Sequence, residues 1–446
     1  MEKGRNRMIH LVGRGWDQVK SPLYRNAFFI MLTSVIGNGL GFFFWVVIGN
    51  TYQKQDAGAA VVLFQTLAFV GTIGNLGLGI GLIRYLPETE DKTSLINAAL
   101  TLAGLVSLVL SIVFLVALPL VLPGLAFVLQ EPFYIVTIIA CAVALGLGPI
   151  LDSTAIAVRR ADLQTIRNTI FAVLKIPLAI GVVVFLKGRA GVFFSLALAF
   201  GISVVVAGLL FRRVLPGYLP KPELQLSRLR PIFRFSLGNY TAGVIATAGT
   251  TLPSALIVDA LGLTQGPTNA FYFYIALIVA TLLYIIPSAT LTSFYAEASQ
   301  TNADHRKGER QAILLSIGLL IPAIAVMWLF SETMLRWFGD PGIAAEAVTP
   351  LRILTFASIP VFLNGVFGTR VRVRKRTLPL IISATIATVI TLGLGWILLQ
   401  NPDLGIDGLA YAYVLGQAAA TPYLYFVARE AYEDIPAEPP LGQPLE

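Results

Sequence analysis

The sequence predicts an all-α polytopic membrane protein with about twelve transmembrane helices. Of its 446 residues, 56% are hydrophobic and only 13% are charged, and the mean hydropathy is +0.77. A bilayer core of about 30 Å requires about 20 apolar residues per helix, so twelve spans occupy roughly half of a chain of this length. These proportions differ strongly from those of average soluble proteins and exclude a soluble enzyme.

The apolar runs are separated by charged residues or by Gly and Pro, and these breaks define the spans. The predicted spans are 27–50, 57–83, 94–121, 133–157, 167–186, 191–211, 233–258, 269–294, 311–330, 344–367, 378–399 and 407–428. They form two six-helix bundles, 27–211 and 233–428. Because six is an even number, the two bundles are expected to be related by a pseudo-two-fold axis along the membrane normal.

Three segments lie outside the predicted bundles. Residues 1–26 form a basic cytoplasmic N-terminus without the pattern of a removable signal peptide. Residues 212–232 form a cytoplasmic linker, and the stretch 224–235 mixes apolar residues with Arg, as an interfacial helix does. Residues 429–446 are rich in Pro and acidic side chains, and we expect them to be a disordered cytoplasmic tail.

The distribution of basic residues predicts the orientation. Of the 32 Lys and Arg residues, 26 fall on the side of the two termini, four on the other side and two within spans. Positive charge accumulates in cytoplasmic loops, so both termini are predicted to be cytoplasmic in a multi-pass inner-membrane protein. The net charge of +8 is therefore a topology signal and does not indicate a nucleic-acid partner.

Several kinds of site are excluded by what the sequence lacks. The single cysteine, Cys141, cannot form an intramolecular disulfide, and the two histidines, His10 and His305, lie far apart. The sequence therefore predicts no metal site. It also contains no GxxxxGK[ST] phosphate loop, so it predicts neither an ATPase nor any cofactor.

Four stretches resemble a known family: GLGIGLIRYLPE at 77–88, LDSTAIAVRRADLQTIRNTIFAVLK at 151–175, FRFSLGNY at 233–240 and NAFYFYIALIVATLLYIIPSATLTSFYAEAS at 269–299. Together they resemble the oligosaccharide flippase and polysaccharide-biosynthesis branch of the multidrug/oligosaccharidyl-lipid/polysaccharide exporter superfamily. The resemblance implies alternating access around a central cavity that accepts the head group of a lipid-linked oligosaccharide. It also implies membrane lipids, and a glycan polymerase or glycosyltransferases, as partners.

Two charged residues inside spans are candidates for function. Lys175 lies eight residues, about 12 Å, beyond Arg167 in the fifth span, and Asp152 lies at a similar depth in the fourth. Ionisable groups at such depth are costly and either pair or serve a function. Asp152 and Lys175 therefore form either a structural ion pair or, with Lys175 facing the cavity, a contact to the substrate phosphate.

Further candidates lie near the ends of spans and along two polar stripes. Arg352 in the tenth span is predicted either to snorkel or pair with Asp259, or to contact substrate. Arg84 and Glu88 after the second span, and Glu297 after the eighth, form either a cytoplasmic gate or ordinary interfacial anchors. The stripes include Asn38 on the first span and Asn239, Thr247 and Thr251 on the seventh; such stripes serve helix packing or line a cavity.

The sequence and the resemblance together predict a flippase for polyprenyl-(pyro)phosphate-linked oligosaccharides, which moves its substrate without bond chemistry and is not an enzyme. The first alternative is a multidrug or metabolite exporter of the same fold, which an unpaired acid in a cavity without basic residues would favour. The second is a membrane glycosyltransferase or polymerase. That activity requires acidic catalytic residues on a sizeable outer loop, and every predicted outer loop is short.

Overall fold

The computed structural model describes residues 22–182, 186, 188–215, 217–286, 305–373 and 376–433. The helices are α1 (Pro22–Thr51), α2 (Lys54–Gly74), α3 (Leu78–Tyr85), α4 (Lys92–Val121), α5 (Pro132–Ala157), α6 (Ala161–Val182), α7 (Arg189–Val214), α8 (Leu226–Thr251), α9 (Pro253–Thr281), α10 (His305–Leu329), α11 (Ser331–Arg336), α12 (Pro341–Val373), α13 (Leu378–Val389), α14 (Gly395–Leu399) and α15 (Gly405–Glu433). Apolar segments of this length fold as helices because hydrocarbon offers no partner for backbone N–H and C=O groups.

The predicted spans coincide with these helices. Within the described ranges, nine helical segments are long and apolar enough to cross a membrane. One of them, Leu226–Tyr284, contains two predicted spans, and the shorter apolar stretch Ile313–Leu329 and helix α15 account for two more. The eighth span is described as far as residue 286. The predicted all-α polytopic fold class is confirmed.

The seventh and eighth spans are joined by a reversal inside α9. Gly262 has φ +71° and ψ −176°, a conformation that glycine reaches without steric cost. A Cβ on Gly266 would lie 2.7 Å from the Cα of Val258, whereas eight residues of continuous helix would separate the two by about 12 Å. The chain therefore turns back at Gly262, and the first part of α9 completes the seventh span.

Three helices depart from the predicted segments. The second span breaks between α2 and α3, where Leu76 and Gly77 both have positive φ. The stretch predicted as an interfacial helix is, from Leu226 onward, the beginning of the seventh-span helix α8. The eleventh span consists of α13, a π-helical segment at Ile390–Leu394 and α14. Such π-helical insertions often lie at functional sites.

The two halves repeat the same packing pattern. In the N half (α1–α7), α1 packs on α6, α6 on α7, α2 on α5 and α5 on α7. In the C half (α8–α15), the corresponding contacts join α8 to α13, α13 to α15, α9 to α12 and α12 to α15. These four contacts of the N half thus recur between the helices six spans later, in agreement with the predicted pseudo-two-fold relation.

The two ends of the bundle are named by the connections they carry. The terminal face carries the start of α1, the end of α15 and the connections 86–91, 158–160 and 215–225. The distal face carries the connections 52–53, 122–131, 330–340 and 400–404.

The linker between the halves is held on the terminal face. Asn97 donates to the carbonyl of Leu219 over 2.9 Å, and Ser94 bonds to a carboxylate oxygen of Glu223 at 2.5 Å. Asp91 caps α4 by accepting from the backbone N–H of Ser94 at 3.0 Å. The start of α4 therefore anchors the linker on the N half.

Candidate functional site

The two halves are joined at the distal face by the turn between α1 and α2. Asn50 donates from Nδ2 to the carbonyl of Trp337 at 3.1 Å, and Lys54 pairs with Asp340 at 2.8 Å. Asp340 also accepts from the backbone N–H of Gly342, and the hydrogen bond from Lys54 is the main reason why the pKa of Asp340 lies below its usual range. These contacts connect α1 and α2 with the α11–α12 connection.

A second set of contacts joins the halves along α2 and α3. Gly58 brings α2 so close to the carbonyl of Pro267 in α9 that no Cβ fits between them. Nearer the terminal face, Tyr240 of α8 donates to the carbonyl of Ile73 at 2.7 Å. The second span therefore contacts both the seventh and the eighth.

Helix α1 divides its contacts between the two halves along its length. Near the terminal face, Thr33 and Thr165 share a hydrogen bond of 2.8 Å between their hydroxyls, so this part of α1 packs on α6. Near the distal face, the ring of Phe42 lies 5.2 Å from that of Phe338, and Trp45 lies 4.9 Å from Tyr274. Among its described side chains, α1 contacts the C half near its distal end.

The C half contains a cavity of about 570 Å³. Its wall includes residues of α8, α9, α12, α13 and α15, together with Ile80 of α3. The lining residues Val361 and Arg372 of α12 are eleven positions apart, so the cavity extends about 16 Å along that helix. Such a volume lies in the range of about 300–1,000 Å³ that small-molecule pockets occupy.

The charged and polar groups of the wall are unevenly distributed. Arg372, near the terminal face, is the one charged residue among those that line the cavity in the described part of the chain. The neutral polar residues are Asn239, Thr250, Thr281, Tyr284, Asn364, Ser383, Thr388, Thr391, Tyr413 and Gln417. The cavity therefore offers amides, hydroxyls and one cation.

Lys175, a predicted substrate ligand, lies in the N half behind α1. Its side chain is only 6% exposed, and its ammonium lies 5.0 Å from the ring centre of Phe44 and 4.9 Å from that of Phe171. Within the described ranges no carboxylate pairs with it. Cation–π contacts of this kind offset part of the cost of burying the charge.

Asp152 does not pair with Lys175, which corrects one of the sequence-based alternatives. It binds Arg167 through two hydrogen bonds of 2.7 and 2.5 Å, and the Arg167 side chain is only 4% exposed. Arg167 also lies over the ring of Phe200, 5.2 Å from its centre. Arg167 is the first residue of the predicted fifth span, so the sequence places it at the cytoplasmic edge and not in an ion pair inside the span. Its planar guanidinium matches a carboxylate better than an ammonium does.

Arg352 likewise has a different neighbour from the one predicted. It donates from Nε to the hydroxyl of Ser331 at 3.0 Å, and its guanidinium lies 4.8 Å from the ring centre of Trp328. Asp259 is exposed on the first part of α9 and makes no salt bridge to Arg352. Arg352 therefore packs against α10 and α11 near the distal face.

The two gate candidates that the structure describes, Arg84 and Glu88, do not line the cavity. Arg84 is exposed on α3, with its guanidinium 5.6 Å from the ring centre of Phe235 on α8, so it contributes a contact between the halves. Glu88 is exposed at the terminal face. Glu297 lies outside the described residues.

The two polar stripes have different surroundings. Asn239 lines the cavity, whereas Thr247 donates to the carbonyl of Gly243 and Thr251 is buried and donates to that of Thr247. Asn38 donates to the carbonyl of Ser34 in its own helix. Of these four candidates, the structure places Asn239 on the cavity wall.

Sequence reasoning missed Arg372, Asn364, Gln417 and Tyr284. Arg372 follows the tenth predicted span and is one of the 26 basic residues on the side of the termini, where it indicates only topology. Gln417 lies ten residues inside the twelfth predicted span, and a buried amide at that depth is costly unless it is hydrogen-bonded. Lys175 is a candidate because a polar group deep inside a span is costly. The same criterion, applied to amides, selects Gln417. No group of three or more potential metal ligands occurs within the described ranges.

The fold and the cavity define a multi-pass membrane protein of the transporter and flippase class. Residues 23–294 match the family model described as polysaccharide biosynthesis protein, and this chain belongs to that family. Residues 304–397 match the MatE model, which supports the predicted superfamily. No curated protein matches the chain.

Solved structures share this fold at low sequence identity. An inward-facing multidrug resistance MATE transporter of the MOP superfamily aligns with a TM-score of 0.69 at 12% identity, covering 91% of this chain and 99% of that chain. The lipid II flippase MurJ in an inward closed conformation gives 0.68 at 13% identity, covering 89% and 86%. An outward-facing MATE transporter gives 0.58 at 16% identity, covering 93% and 96%.

Proposed function

We propose that this protein is a flippase that moves a polyprenyl-(pyro)phosphate-linked oligosaccharide across the cytoplasmic membrane for surface polysaccharide synthesis. The observation that carries the proposal is the charge of the cavity. Its described wall contains Arg372 and no acidic residue. A cationic drug would meet repulsion there, whereas the phosphate of a glycolipid would gain a charge-assisted contact.

The conformation also supports transport by alternating access. The halves are bound together at the distal face by the Asn50 and Lys54 contacts, while the cavity reaches Arg372 near the terminal face. The better match to an inward-facing than to an outward-facing relative agrees with this arrangement. We propose that the terminal face is cytoplasmic and that substrate enters from that side.

Orientation can be tested independently of transport. In a Cys141→Ala background, cysteines at Gln265 and Asn401 on the distal face should react with an impermeant thiol reagent from outside the cell. A cysteine at Arg212, at the end of α7, should not. Reversed labelling at any of these positions would contradict the cytoplasmic assignment of the terminal face.

The central test is charge reversal at the cavity. Arg372→Glu should lower polysaccharide export at least tenfold at normal protein abundance and leave lipid-linked oligosaccharide accumulated on the cytoplasmic side. Arg376→Glu is the matched control, because Arg376 is exposed nearby but does not line the cavity, and it should export normally. Normal export with Arg372→Glu would refute the proposed role of Arg372.

An exporter of drugs or metabolites is the second candidate function, favoured by the match of residues 304–397 to the MatE model. Deletion of the gene separates the two functions. Loss of surface polysaccharide supports the flippase. Altered drug sensitivity with normal polysaccharide would establish the exporter in its place.

A further inference from the structure

The first three turns of α8 carry three arginines outside the cavity, and two of them have no counter-charge. Arg228 pairs with Asp91 at 3.3 Å. Arg230 and Arg234 are exposed and form no salt bridge or hydrogen bond within the part of the chain that the structure describes. Because they are four positions apart on a helix, their side chains are neighbours on one face. That face therefore presents two adjacent guanidinium groups that are free to bind an anion.

Apolar side chains accompany the two arginines on the same face. Leu226, Phe233 and Leu237 are 58%, 36% and 44% exposed. With Arg230 and Arg234 they recur at spacings of three and four residues, which places all five on one side of the helix. We call these five residues the outer face of α8. A ligand that fits it has both an anionic group and an apolar part.

The outer face of α8 is directed away from the cavity. Arg230 and the cavity-lining residue Asn239 are nine positions apart, which corresponds to two and a half turns of helix. Their side chains therefore leave α8 on opposite sides. The outer face accordingly contacts the surroundings of the protein, and its arginines are not part of the cavity wall.

The two arginines lie at the level of lipid head groups. Asp259, an exposed charge on the first part of α9, marks the distal end of the seventh span. Arg234 is 25 positions before it, or about 37 Å along the helical path, which exceeds a hydrocarbon core of about 30 Å by about 7 Å. Arg230 lies one turn further out. The head-group layer occupies this depth, whereas Leu237 lies at the boundary of the hydrocarbon.

We infer that the outer face of α8 binds an anionic phospholipid at the terminal face of the protein. Arg230 and Arg234 together bind its phosphate and attract its net negative charge, and Leu226, Phe233 and Leu237 contact its acyl chains. A zwitterionic lipid has no net charge to attract, and a free phosphate ion has no apolar part. The inference does not depend on which molecule the protein transports.

The acidic groups close to this part of α8 do not compete for the two arginines. Asp91 is engaged by Arg228, and Glu223 accepts from Gln225 at 2.6 Å and bonds to Ser94 of α4. Both carboxylates are thus held by other partners. The pair of Arg228 with Asp91 also makes Arg228 a matched control, since it is an arginine of the same helix end with a protein partner.

Quenching of a fluorophore by brominated lipid tests the inference. A Cys141→Ala protein with Leu237→Cys carries bimane on the introduced cysteine and is placed in vesicles of phosphatidylglycerol and phosphatidylcholine. Two preparations have the same lipid composition and the same amount of brominated acyl chains. The bromine is on phosphatidylglycerol in one and on phosphatidylcholine in the other. Because one basic residue near the surface strengthens binding of anionic lipid about fivefold, brominated phosphatidylglycerol should quench at least fivefold more.

Equal quenching by the two lipids would overturn the inference. Quenching by neither lipid would also overturn it, because the face would then be covered by protein, such as a second copy of the chain. Loss of the preference in excess inorganic phosphate would indicate a site for free anions in place of a lipid site. The same bimane at Leu120→Cys, on an 88% exposed position at the distal end of α4, should show no preference. An equal preference there would show general enrichment of anionic lipid around the protein and would contradict a site on α8.

Substitution of the arginines locates the site. Arg230→Gln/Arg234→Gln should bring the ratio of quenching by the two lipids to within twofold of one. Arg228→Gln, which removes the same kind of charge from the same end of α8, should keep the ratio at fivefold or more. A preference that survives in the double variant, or that Arg228→Gln abolishes equally, would overturn the assignment to Arg230 and Arg234.

Discussion

The N half and the C half share a helix-packing pattern, but two equivalent helices, α6 and α13, carry different side chains on their described inner faces. On α6 of the N half, Lys175 lies against the ring of Phe44 in α1 and that of Phe171 one turn earlier. Phe171 also packs on Phe64 and Phe200 at ring distances of 6.4 and 5.1 Å. On the equivalent helix α13, four of the five cavity-lining side chains are small, Ser383, Ala384, Ala387 and Thr388, and the fifth is Leu380 at the start of the helix. The size of the side chains on one helix face therefore decides whether the space beside that face is filled by side chains or remains a cavity.

The two halves also differ in their charged and polar groups. The N half buries the Asp152–Arg167 pair and the ammonium of Lys175, whereas the described wall of the C-half cavity has amides, hydroxyls and Arg372 near its end. Buried charges need fixed partners, which suits a rigid element. A cavity that binds a ligand must lose water from its wall. This desolvation costs less for neutral amides than for charged groups. We therefore propose structural roles for the N-half charges and ligand binding in the C half.

The largest expected effect comes from breaking the N-half ion pair. Asp152→Ala leaves the buried Arg167 guanidinium without its carboxylate and should destabilise the protein by about 3–5 kcal/mol. Thermal unfolding of the purified protein in detergent measures the loss. The double variant Asp152→Ala/Arg167→Leu removes both charges and should recover much of it. A double variant as unstable as Asp152→Ala alone would show that the pair is not the source of the stability.

The next effect comes from filling the C-half cavity. A side chain at Gly243 meets nothing within 4 Å, so Gly243→Trp fits without a clash at Cβ and occupies cavity space. Transport of the lipid-linked oligosaccharide should fall at least tenfold while thermal stability stays within a few degrees. Gly201→Trp on α7 is the matched control, since it also extends into open space but outside the cavity, and it should transport normally. Equal transport by the two variants would contradict a functional cavity in the C half.

A smaller effect is expected at Lys175. Methionine has similar length and can pack between Phe44 and Phe171, and replacing a buried charge by an apolar group is often neutral or stabilising. Lys175→Met should therefore keep the melting temperature at or above that of the unsubstituted protein. Transport should stay within about threefold, because Lys175 contacts two aromatic rings and does not line the cavity. A folded Lys175→Met protein without transport would instead place Lys175 in the substrate path.

The smallest effect is expected at the distal ion pair. Lys54 and Asp340 are partly exposed, so Asp340→Asn should lower stability by less than about 1 kcal/mol. Because the pKa of Asp340 is lowered in the folded protein, its contribution is present above the unfolded pKa of about 3.9 and is lost as the pH falls through the lower folded value. The difference in melting temperature between the two proteins should be constant from pH 7 to about pH 4.5 and shrink below it. A difference that shrinks between pH 7 and 5 would contradict this assignment.

Some of the candidate site was accessible to sequence reasoning. Asn239 was found because it belongs to a polar stripe on an apolar helix, and that stripe faces the cavity through Asn239, Gly243 and Thr250. Thr251, one residue further, turns by about 100° and is buried. The pattern identifies the helix and one face of it, but not which of two adjacent residues meets the cavity.

Partner choice among charges could not be predicted from depth alone. Lys175 and Asp152 lie at similar depth, yet Asp152 binds Arg167, whose long side chain reaches it from nearer the terminal face. Arg352 similarly meets Ser331 and Trp328 rather than Asp259. Depth fixes position along the membrane normal, whereas pairing depends on helix rotation and side-chain reach.

The sequence by itself determined the number of spans, the all-helical fold and the existence of two similar halves. These follow from the length of apolar runs and from the requirement that backbone groups bond within each helix. Tertiary structure alone decided that the cavity lies in the C half, that Gln417 and Tyr284 line it, and that Lys175 is enclosed by aromatic rings. The reason is that a cavity depends on the sizes of side chains that several helices contribute. Which of these side chains face one another is fixed only when the helices pack.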